Sequence, residues 1–499
     1  MGLERKINIM NDDFEIPHQS SCTIDLTEEC NMACDYCFTH SQHNKKVLSE
    51  EMGKKIIDLW FLNVMLDSSS NKTPNISFWG GEPLLEFELM KKLIKYGDEI
   101  SNNTLTYGGT TNGTLYTAEV AEWCLKNKSP MLVSSDGVEE AHDKHRKFKN
   151  GRGTWKVIDK NLREIVKFFP KQKVRLSIST DNCHLFYDSF LYFIEGLGMK
   201  EFSFSPVFED DWTKEKFDIL EEQFNKCIDY ILKEAKRNNF IDLKHFTDIM
   251  LRNGSEQIIR NPCGAGTGYS AWSIEGLQFA CQRFNKHGLS LEEKLKSPFL
   301  IGRIKDDKYE IYREPRQQFI NFKDKLEDRC GHCSLLKNSN CYGNCFSVNY
   351  DLMGDINKTP KVCCDFNKLQ NDMGLKLRKL FDDNKIIHPK MKQKQIKNGC
   401  GLCYNMCYSE GTDEEITIID RRKNHYCNCD VIEYSDNLKR LNCRSIKEID
   451  DDSKKLFKSL ETCKKILETR DMNKREDLIK MEDKVFNDTI ESIKKFTKK

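Results

Sequence analysis

Along residues 22–239 short β-branched and aromatic runs alternate with longer stretches whose apolar positions recur every three to four residues. The short runs predict strands over 22–26, 75–78, 104–108, 131–134, 174–179 and 201–205, and the longer ones predict helices over 49–66, 85–100, 117–127, 155–168 and 214–238. Strands separated by amphipathic helices argue for βαβ units and a parallel sheet, and six units make an incomplete (β/α)6 barrel. In parallel barrels, ligands collect at the C-terminal ends of the strands. That rule says where along this chain to look for chemistry.

Each of the first four predicted strands is followed by a distinctive segment. After the first come Cys30, Cys34 and Cys37, in the run Cys-Asn-Met-Ala-Cys-Asp-Tyr-Cys-Phe. After the second comes Phe-Trp-Gly-Gly-Glu-Pro-Leu, with Gly80, Gly81, Glu82 and Pro83 in a turn where the glycines permit close backbone approach and the proline adds stiffness. After the third and fourth come Thr-Asn-Gly at Thr111 to Gly113 and Ser-Ser-Asp-Gly at Ser134 to Gly137. The C-x3-C-x2-C spacing suits three irons of a four-iron cluster, leaving one iron open to bind a small molecule. A zinc knuckle can also be built from close cysteines, but it leaves the two turn motifs unexplained.

Together these segments resemble the radical S-adenosylmethionine (radical SAM) superfamily. The resemblance implies that Cys30, Cys34 and Cys37 hold a [4Fe–4S] cluster that binds SAM, and that Gly80, Gly81, Glu82 and Pro83 lie against the methionine part of SAM. It also implies that Tyr36 lies near the adenine, and it makes Asn112, Ser134, Asp136 and Ser179 candidate contacts to the ribose or the methionine. Asn and Asp in turns often satisfy their own backbone instead. The implied activity is reductive cleavage of SAM to a 5′-deoxyadenosyl radical that abstracts hydrogen from an unactivated carbon. No protein base is assigned to that step.

Composition narrows the setting. In 499 residues, 79 basic and 78 acidic side chains nearly cancel, so bulk charge implies neither a nucleic-acid nor a membrane partner. The beginning is not apolar enough for a signal peptide, and no run approaches the ~20 apolar residues of a membrane span. A cytoplasmic enzyme of an anaerobic or well-reduced cell is expected. There the 22 cysteines are read as metal or cluster ligands rather than disulfides. Cys22, Cys124, Cys183, Cys227 and Cys463 stand alone in apolar or helical patterns and are expected to be small buried hydrophobes.

A second cysteine set follows the barrel: Cys263 and Cys281 flanking Gly276, then Cys330, Cys333, Cys341 and Cys345, then the pair Cys363 and Cys364. This resembles the SPASM domain, which carries auxiliary [4Fe–4S] clusters in many peptide-modifying radical SAM enzymes. The resemblance assigns Cys263, Cys281 and Cys345 to one auxiliary cluster. It assigns Cys330, Cys333, Cys341 and either Cys363 or Cys364 to a second. The gap before Cys341 is seven residues where the pattern usually has five. No cysteine stands a few residues before Cys263, so the first cluster has an open iron, a non-cysteine ligand or a distant cysteine. A zinc ribbon is the alternative for the whole set.

Within the barrel the sequence is similar to anaerobic sulfatase maturases at Cys37 to Ser41, Thr111 to Leu115 and His142 to Arg146. Those maturases place an aspartate, proposed as a base, after the cysteine that corresponds to Cys281. Here the residue is Gln282, which accepts no proton at useful pH. Another side-chain modification of a peptide or protein is therefore expected: oxidation, crosslinking or epimerisation. Formylglycine formation and a non-catalytic electron carrier remain as alternatives. The basic segment His142 to Arg152 is expected to be a solvated loop or a contact for an acidic peptide.

The expected organisation is an N-terminal segment 1–20, a radical SAM partial barrel 21–245, a SPASM-like domain 255–370, a cysteine-rich extension 385–450 and charged amphipathic helices 451–499. In the extension, Cys400, Cys403, Cys407, Cys427, Cys429 and Cys443 suggest a further iron–sulfur or zinc site. A separate N-terminal precursor-recognition domain is not expected. The expected partners are a peptide or protein substrate and an electron donor such as flavodoxin or ferredoxin.

Overall fold

The computed structural model describes residues 20–39, 45–65, 73–252, 261, 263–306, 308–320, 328–337, 341 and 343–390. Seven strands run in chain order through the first part: β1 (Ser21–Thr27), β2 (Asn75–Gly80), β3 (Thr106–Thr111), β4 (Met131–Ser134), β5 (Val174–Ile178), β6 (Glu201–Pro206) and β7 (Asp242–Leu243). Each pairs in parallel with the next. The helices α1 (Glu50–Met65), α2 (Phe87–Ser101), α3 (Ala118–Lys126), α4 (Glu139–His145), α5 (Trp155–Phe168), α6 (Phe186–Leu191), α7 (Lys214–Ala235) and α8 (Lys244–Met250) lie between or after them.

Side-chain alternation explains the layering. Cys22, Ile24 and Leu26 of β1, Ile76 and Phe78 of β2, and Val174, Leu176 and Ile178 of β5 join the core built with Ile56 and Trp60 of α1 and Leu93 of α2. The intervening residues, Thr23, Asp25, Ser77, Arg175 and Ser177 among them, turn to the opposite face, which is polar. Threonine caps start α3 and α7: Thr117 accepts from the Val120 N–H and Thr213 from the Lys216 N–H.

The sheet continues past β7. β8 (Tyr269–Trp272) pairs in parallel with the other edge of β1, and β9 (Leu277–Phe279), β10 (Leu300–Lys305) and β11 (Lys308–Ile311) follow antiparallel. The order is β11-β10-β9-β8-β1-β2-β3-β4-β5-β6-β7. The cysteine-rich region is thus joined to the barrel through β1, the strand that leads to Cys30. It also holds α9 (Leu291–Leu295), α10 (Arg313–Ile320), α11 (Asp328–Gly331), α12 (Ser334–Lys337), α13 (Phe346–Met353) and α14 (Lys361–Asp383). Gly374 lets α14 lie close on α8, since a Cβ there would come 2.6 Å from Ile249 Cβ.

All six predicted barrel strands form, with β3 beginning at Thr106 rather than 104. The structure adds α4, whose only buried apolar residue is Ala141 and which therefore carries little periodic signal. It also adds α6 and the short strands β7 to β11. Cys22, Cys124, Cys183 and Cys227 are buried, as small hydrophobes would be, whereas Cys463 lies outside the described residues. Among the described residues no helix is long and apolar enough to cross a membrane.

Candidate active site

The segment from Cys30 to Cys37 leaves the C-terminal end of β1 and is pinned from three directions. From the β2 turn, the Gly81 N–H donates to the Thr27 carbonyl and the Glu82 N–H to the Glu29 carbonyl, both at 2.9 Å. From the β3 turn, Asn112 Nδ2 donates to Asn31 Oδ1 at 2.8 Å, and Asn31 Nδ2 donates to Thr114 Oγ1 at 2.8 Å. From the segment after α4, the Lys147 carbonyl accepts from the Ala33 N–H at 2.8 Å, and Met32 bridges to Phe148.

The glycines make the first clamp possible. Gly80 has a φ of +135°, and a Cβ on it would overlap the Thr27 carbonyl oxygen. A Cβ on Gly81 would overlap the Glu29 carbonyl and come 2.8 Å from the Cys30 nitrogen. The close approach that these residues permit is to the cysteine loop itself.

The three thiols lie within electrostatic reach of one another. Burial pushes Cys30 up to about 12 and Cys34 up to about 11, with Arg146 opposing the rise at Cys34. Thiolate ligation must supply the charge that burial disfavours, so binding of iron and loss of protons are coupled here. Asn112 Nδ2 also approaches Cys30 Sγ at 3.8 Å. Three soft donors in one short clamped loop fit a [4Fe–4S] cluster.

Glu82 is wholly buried. It accepts from Leu84 N–H (3.1 Å), Thr111 Oγ1 (2.8 Å) and Asn112 N–H (2.7 Å), while burial pushes its carboxyl up to about 7. Its work is to tie the β2 turn to the β3 turn, and Pro83 opens the short 3-10 turn that follows. Asn112 is equally committed, because its Oδ1 accepts from the Thr114 N–H and Oγ1.

Around Cys34 an ionic network closes the site. Arg146 Nε donates to Asp136 Oδ2 at 3.0 Å and Nη2 to Ser177 Oγ at 3.2 Å. Asp136 Oδ1 accepts from the Ser177 N–H at 2.8 Å, and the Tyr36 hydroxyl donates to Asp136 Oδ2. The guanidinium stands 5.3 Å from the Tyr36 ring centre. His145 bridges Asp35 (2.9 Å) and Ser179 Oγ (2.7 Å). Asp136 and Ser179 therefore orient Tyr36, Arg146 and His145, while Ser134 ends β4 half-buried.

This corrects part of the expectation for the basic segment: Lys144, Lys149 and Arg152 are exposed as expected, whereas His142, His145 and Arg146 are buried. The spacing i, i+3, i+4 that puts them on one helix face was the available signal. Arg146 is the site residue that sequence reasoning missed.

The second cysteine set is assembled from distant elements. Cys263, Cys281 at the end of β9, and Cys345 at the start of α13 lie within electrostatic reach of one another. Cys330 and Cys333 share a turn, with the Cys333 N–H donating to the Cys330 carbonyl at 3.1 Å, and Cys341 Sγ lies 3.5 Å from Asn367 Nδ2 of α14. Cys363 and Cys364 sit in the first turn of α14, the former fully buried and the latter half-buried. Among the described residues no three His, Cys, Asp or Glu side chains close around a single metal ion. Cys400, Cys403, Cys407, Cys427, Cys429 and Cys443 lie outside the described residues.

Gln282 reaches the polar face of the sheet. Its Oε1 accepts from the Tyr269 hydroxyl, which also pairs with Thr23 Oγ1 at 2.7 Å. Beside it, Asp25 is committed through one oxygen to His287 Nε2 (2.7 Å) and Asn285 Nδ2 (2.6 Å).

A family profile described as the Radical SAM superfamily matches residues 24–186. The radical SAM cyclopropyl synthase TigE of Paramaledivibacter caminithermalis is 24% identical over 369 residues, 69% of this chain and 71% of that protein. A cysteine-type anaerobic sulfatase-maturating enzyme of Clostridium perfringens is 22% identical over 340 residues, 63% of this chain and 85% of that one. The structure of native anSMEcpe with bound AdoMet and a Cp18Cys peptide superposes with a TM-score of 0.56 at 18% identity. It covers 74% of this chain and 99% of that one, a likeness of fold.

Proposed function

Because this chain belongs to the radical SAM superfamily, we propose that it modifies a side chain of a peptide or protein by hydrogen abstraction, giving oxidation, a crosslink or an epimer. The cofactors would be a [4Fe–4S] cluster on Cys30, Cys34 and Cys37 with SAM, which together supply a 5′-deoxyadenosyl radical, and two auxiliary [4Fe–4S] clusters. The observation that supports this reading is the clamped cysteine loop at the C-terminal edge of β1, held by the Gly80 to Pro83 turn and the Thr111 to Thr114 turn.

The chain's own residues have definable tasks. Gly80 and Gly81 bring the β2 turn onto the cysteine loop, so that the turn's backbone groups would be at hand for a ligand of the cluster. Arg146, buried and charge-paired on one edge with Asp136, presents a guanidinium next to Cys34 that suits a carboxylate. Tyr36 is held by Asp136 as an aromatic wall. The polar inner face of the sheet, with Thr23, Ser77 and Ser177, offers hydrogen bonds to an extended peptide rather than an apolar pocket.

The peptide-modification reading draws on the relatives: TigE is named for a radical SAM cyclopropyl synthase, and anSMEcpe was solved with AdoMet and a peptide. Formylglycine formation is the second reading, favoured by the sulfatase-maturating relative. Gln282 stands against it, since a carboxamide bonded to Tyr269 takes no proton. An electron donor of the flavodoxin or ferredoxin class would reduce the cluster.

The test is anaerobic incubation of the full chain with SAM and a chemical reductant. 5′-Deoxyadenosine is expected, with no aldehyde formed on an added Cys-x-Pro-x-Arg peptide. Absence of 5′-deoxyadenosine from cluster-loaded protein would sink every enzymatic reading. Aldehyde formation would install the sulfatase-maturase reading in place of ours.

A further inference from the structure

The two auxiliary cysteine sets are unequal in sequence. The first offers Cys263, Cys281 and Cys345, one thiol short of four, while α14 opens with two adjacent cysteines where a single one would complete the second set. The structure places that surplus beside the deficit.

The start of α14 is docked on the loop that leads into Cys345. Thr359 Oγ1 donates to the Gly343 carbonyl at 2.9 Å, and Asn349 Nδ2 donates to the same carbonyl at 2.8 Å and to the Ile356 carbonyl at 2.9 Å. Asn344, the residue next to Cys345, and Cys345 itself are both within electrostatic reach of the Cys363 thiol. Cys345 is in turn the member common to the Cys263 and Cys281 neighbourhoods. Cys363 is thus a buried fourth thiol adjoining the three-thiol group.

The second set meets the same helix one turn further along. Asn367 reaches Cys341 Sγ at 3.5 Å. At 100° per residue its direction falls between those of Cys363 and Cys364. With Cys363 adjoining Cys345, Cys364 is the helix's remaining thiol on the flank toward Cys341. Both lie in the first turn of a 23-residue helix, where the unpaired N–H groups and the positive end of the helix dipole favour thiolates.

We propose that Cys363 is the fourth ligand of the first auxiliary iron–sulfur site, with Cys263, Cys281 and Cys345, and that Cys364 completes the second, with Cys330, Cys333 and Cys341. This rests on the reading that both sets hold [4Fe–4S] clusters. It makes both auxiliary sites closed and fitted for electron transfer, with the open iron confined to the Cys30 to Cys37 loop. It also turns the first turn of α14 into a link between the two sites.

The experiment crosses single substitutions with removal of each set in anaerobically purified full-length protein. In a C330A/C333A background, C363A is expected to remove about four further irons or leave a cluster with an open iron, and C364A to do neither. In a C263A/C281A background the two substitutions should exchange roles. Retention of the N-terminal cluster's EPR signal reports that each variant is folded. A second measurement needs no paired background: with excess SAM covering the N-terminal cluster, 13C-cyanide should show no hyperfine coupling to an auxiliary cluster in the wild type and a coupling in C363A. One cysteine acting in both backgrounds, or cyanide bound to an auxiliary cluster of the wild type, overturns the assignment. Wild-type protein with only about four irons would instead remove the cluster reading beneath it, an outcome separable by the iron count alone.

Discussion

The two cysteine regions of this protein are built on opposite principles. Cys30, Cys34 and Cys37 come from one short loop whose backbone is gripped by three neighbouring turns. The auxiliary thiols come from the segments around β8 and β9, a cysteine-bearing turn, α13 and α14, and they meet only because those elements pack. The first site is therefore fixed by local geometry and a few backbone hydrogen bonds. The second depends on the docking of whole helices. A site of the first kind tolerates loss of a distant element, and a site of the second kind can lose one cluster when one helix shifts.

The largest effect should come from removing a loop thiol. Cys34→Ala is expected to abolish 5′-deoxyadenosine formation and lower iron by about four, leaving the auxiliary irons in place. Iron and sulfide analysis with EPR of the reduced protein checks this. Loss of the auxiliary irons as well would mean that the two regions are not independent, and the contrast above would fail.

A smaller effect tests the clamp rather than the ligands. Gly81→Ala puts a methyl group into the Glu29 and Cys30 backbone. Displacing the loop by something near an ångström should cost about 100-fold in the rate of SAM cleavage, with iron content preserved. The control lies in the other region: Gly331→Ala meets nothing within 4 Å, so it should leave the rate of SAM cleavage unchanged and shift stability by less than about 0.5 kcal/mol. Equal effects from the two substitutions would deny the glycine clamp any special role.

Legibility in the sequence follows the same division. The six barrel strands and the first cysteine triplet could be read because period-two and period-3.6 patterns and a compact motif are local signals. The roles inside the motifs could not. Nothing in the spacing shows that the Glu82 carboxylate accepts from Leu84, Thr111 and Asn112. Nor does it show that Asp136 holds Arg146 and Tyr36. Both depend on which way a side chain turns when neighbouring turns pack, and no spacing encodes that. The extension of the sheet from β1 to β8 was equally hidden, since β8 is a four-residue strand whose partner lies far back in the chain.

The smallest effect concerns how Glu82 couples the clamp to pH. Complete burial lifts its carboxyl from the usual 4.5 to about 7, against the pull of its three donors. A group whose folded pKa is raised contributes stability that is fully present below 4.5 and is lost as pH rises through 7. His142 slopes the other way: burial lowers it from 6.5 to about 3, so its contribution is present above 6.5 and lost as pH falls. Between these limits the two partly cancel in the wild type, and only a difference between proteins isolates the carboxyl. Glu82→Gln cannot ionise, so its stability relative to the wild type should rise between pH 5 and pH 7.5. The rise should reach at most about 3 kcal/mol, because a tenfold change in proton affinity corresponds to about 1.4 kcal/mol. At pH 5 the variant should be the less stable protein, because a carboxamide turns one acceptor into a donor facing either the Asn112 N–H or the Leu84 N–H and Thr111 hydroxyl. Unfolding curves of anaerobic protein across that range decide it: crossing curves support a carboxyl protonated at the clamp, whereas parallel curves mean that its three donors keep Glu82 ionised throughout.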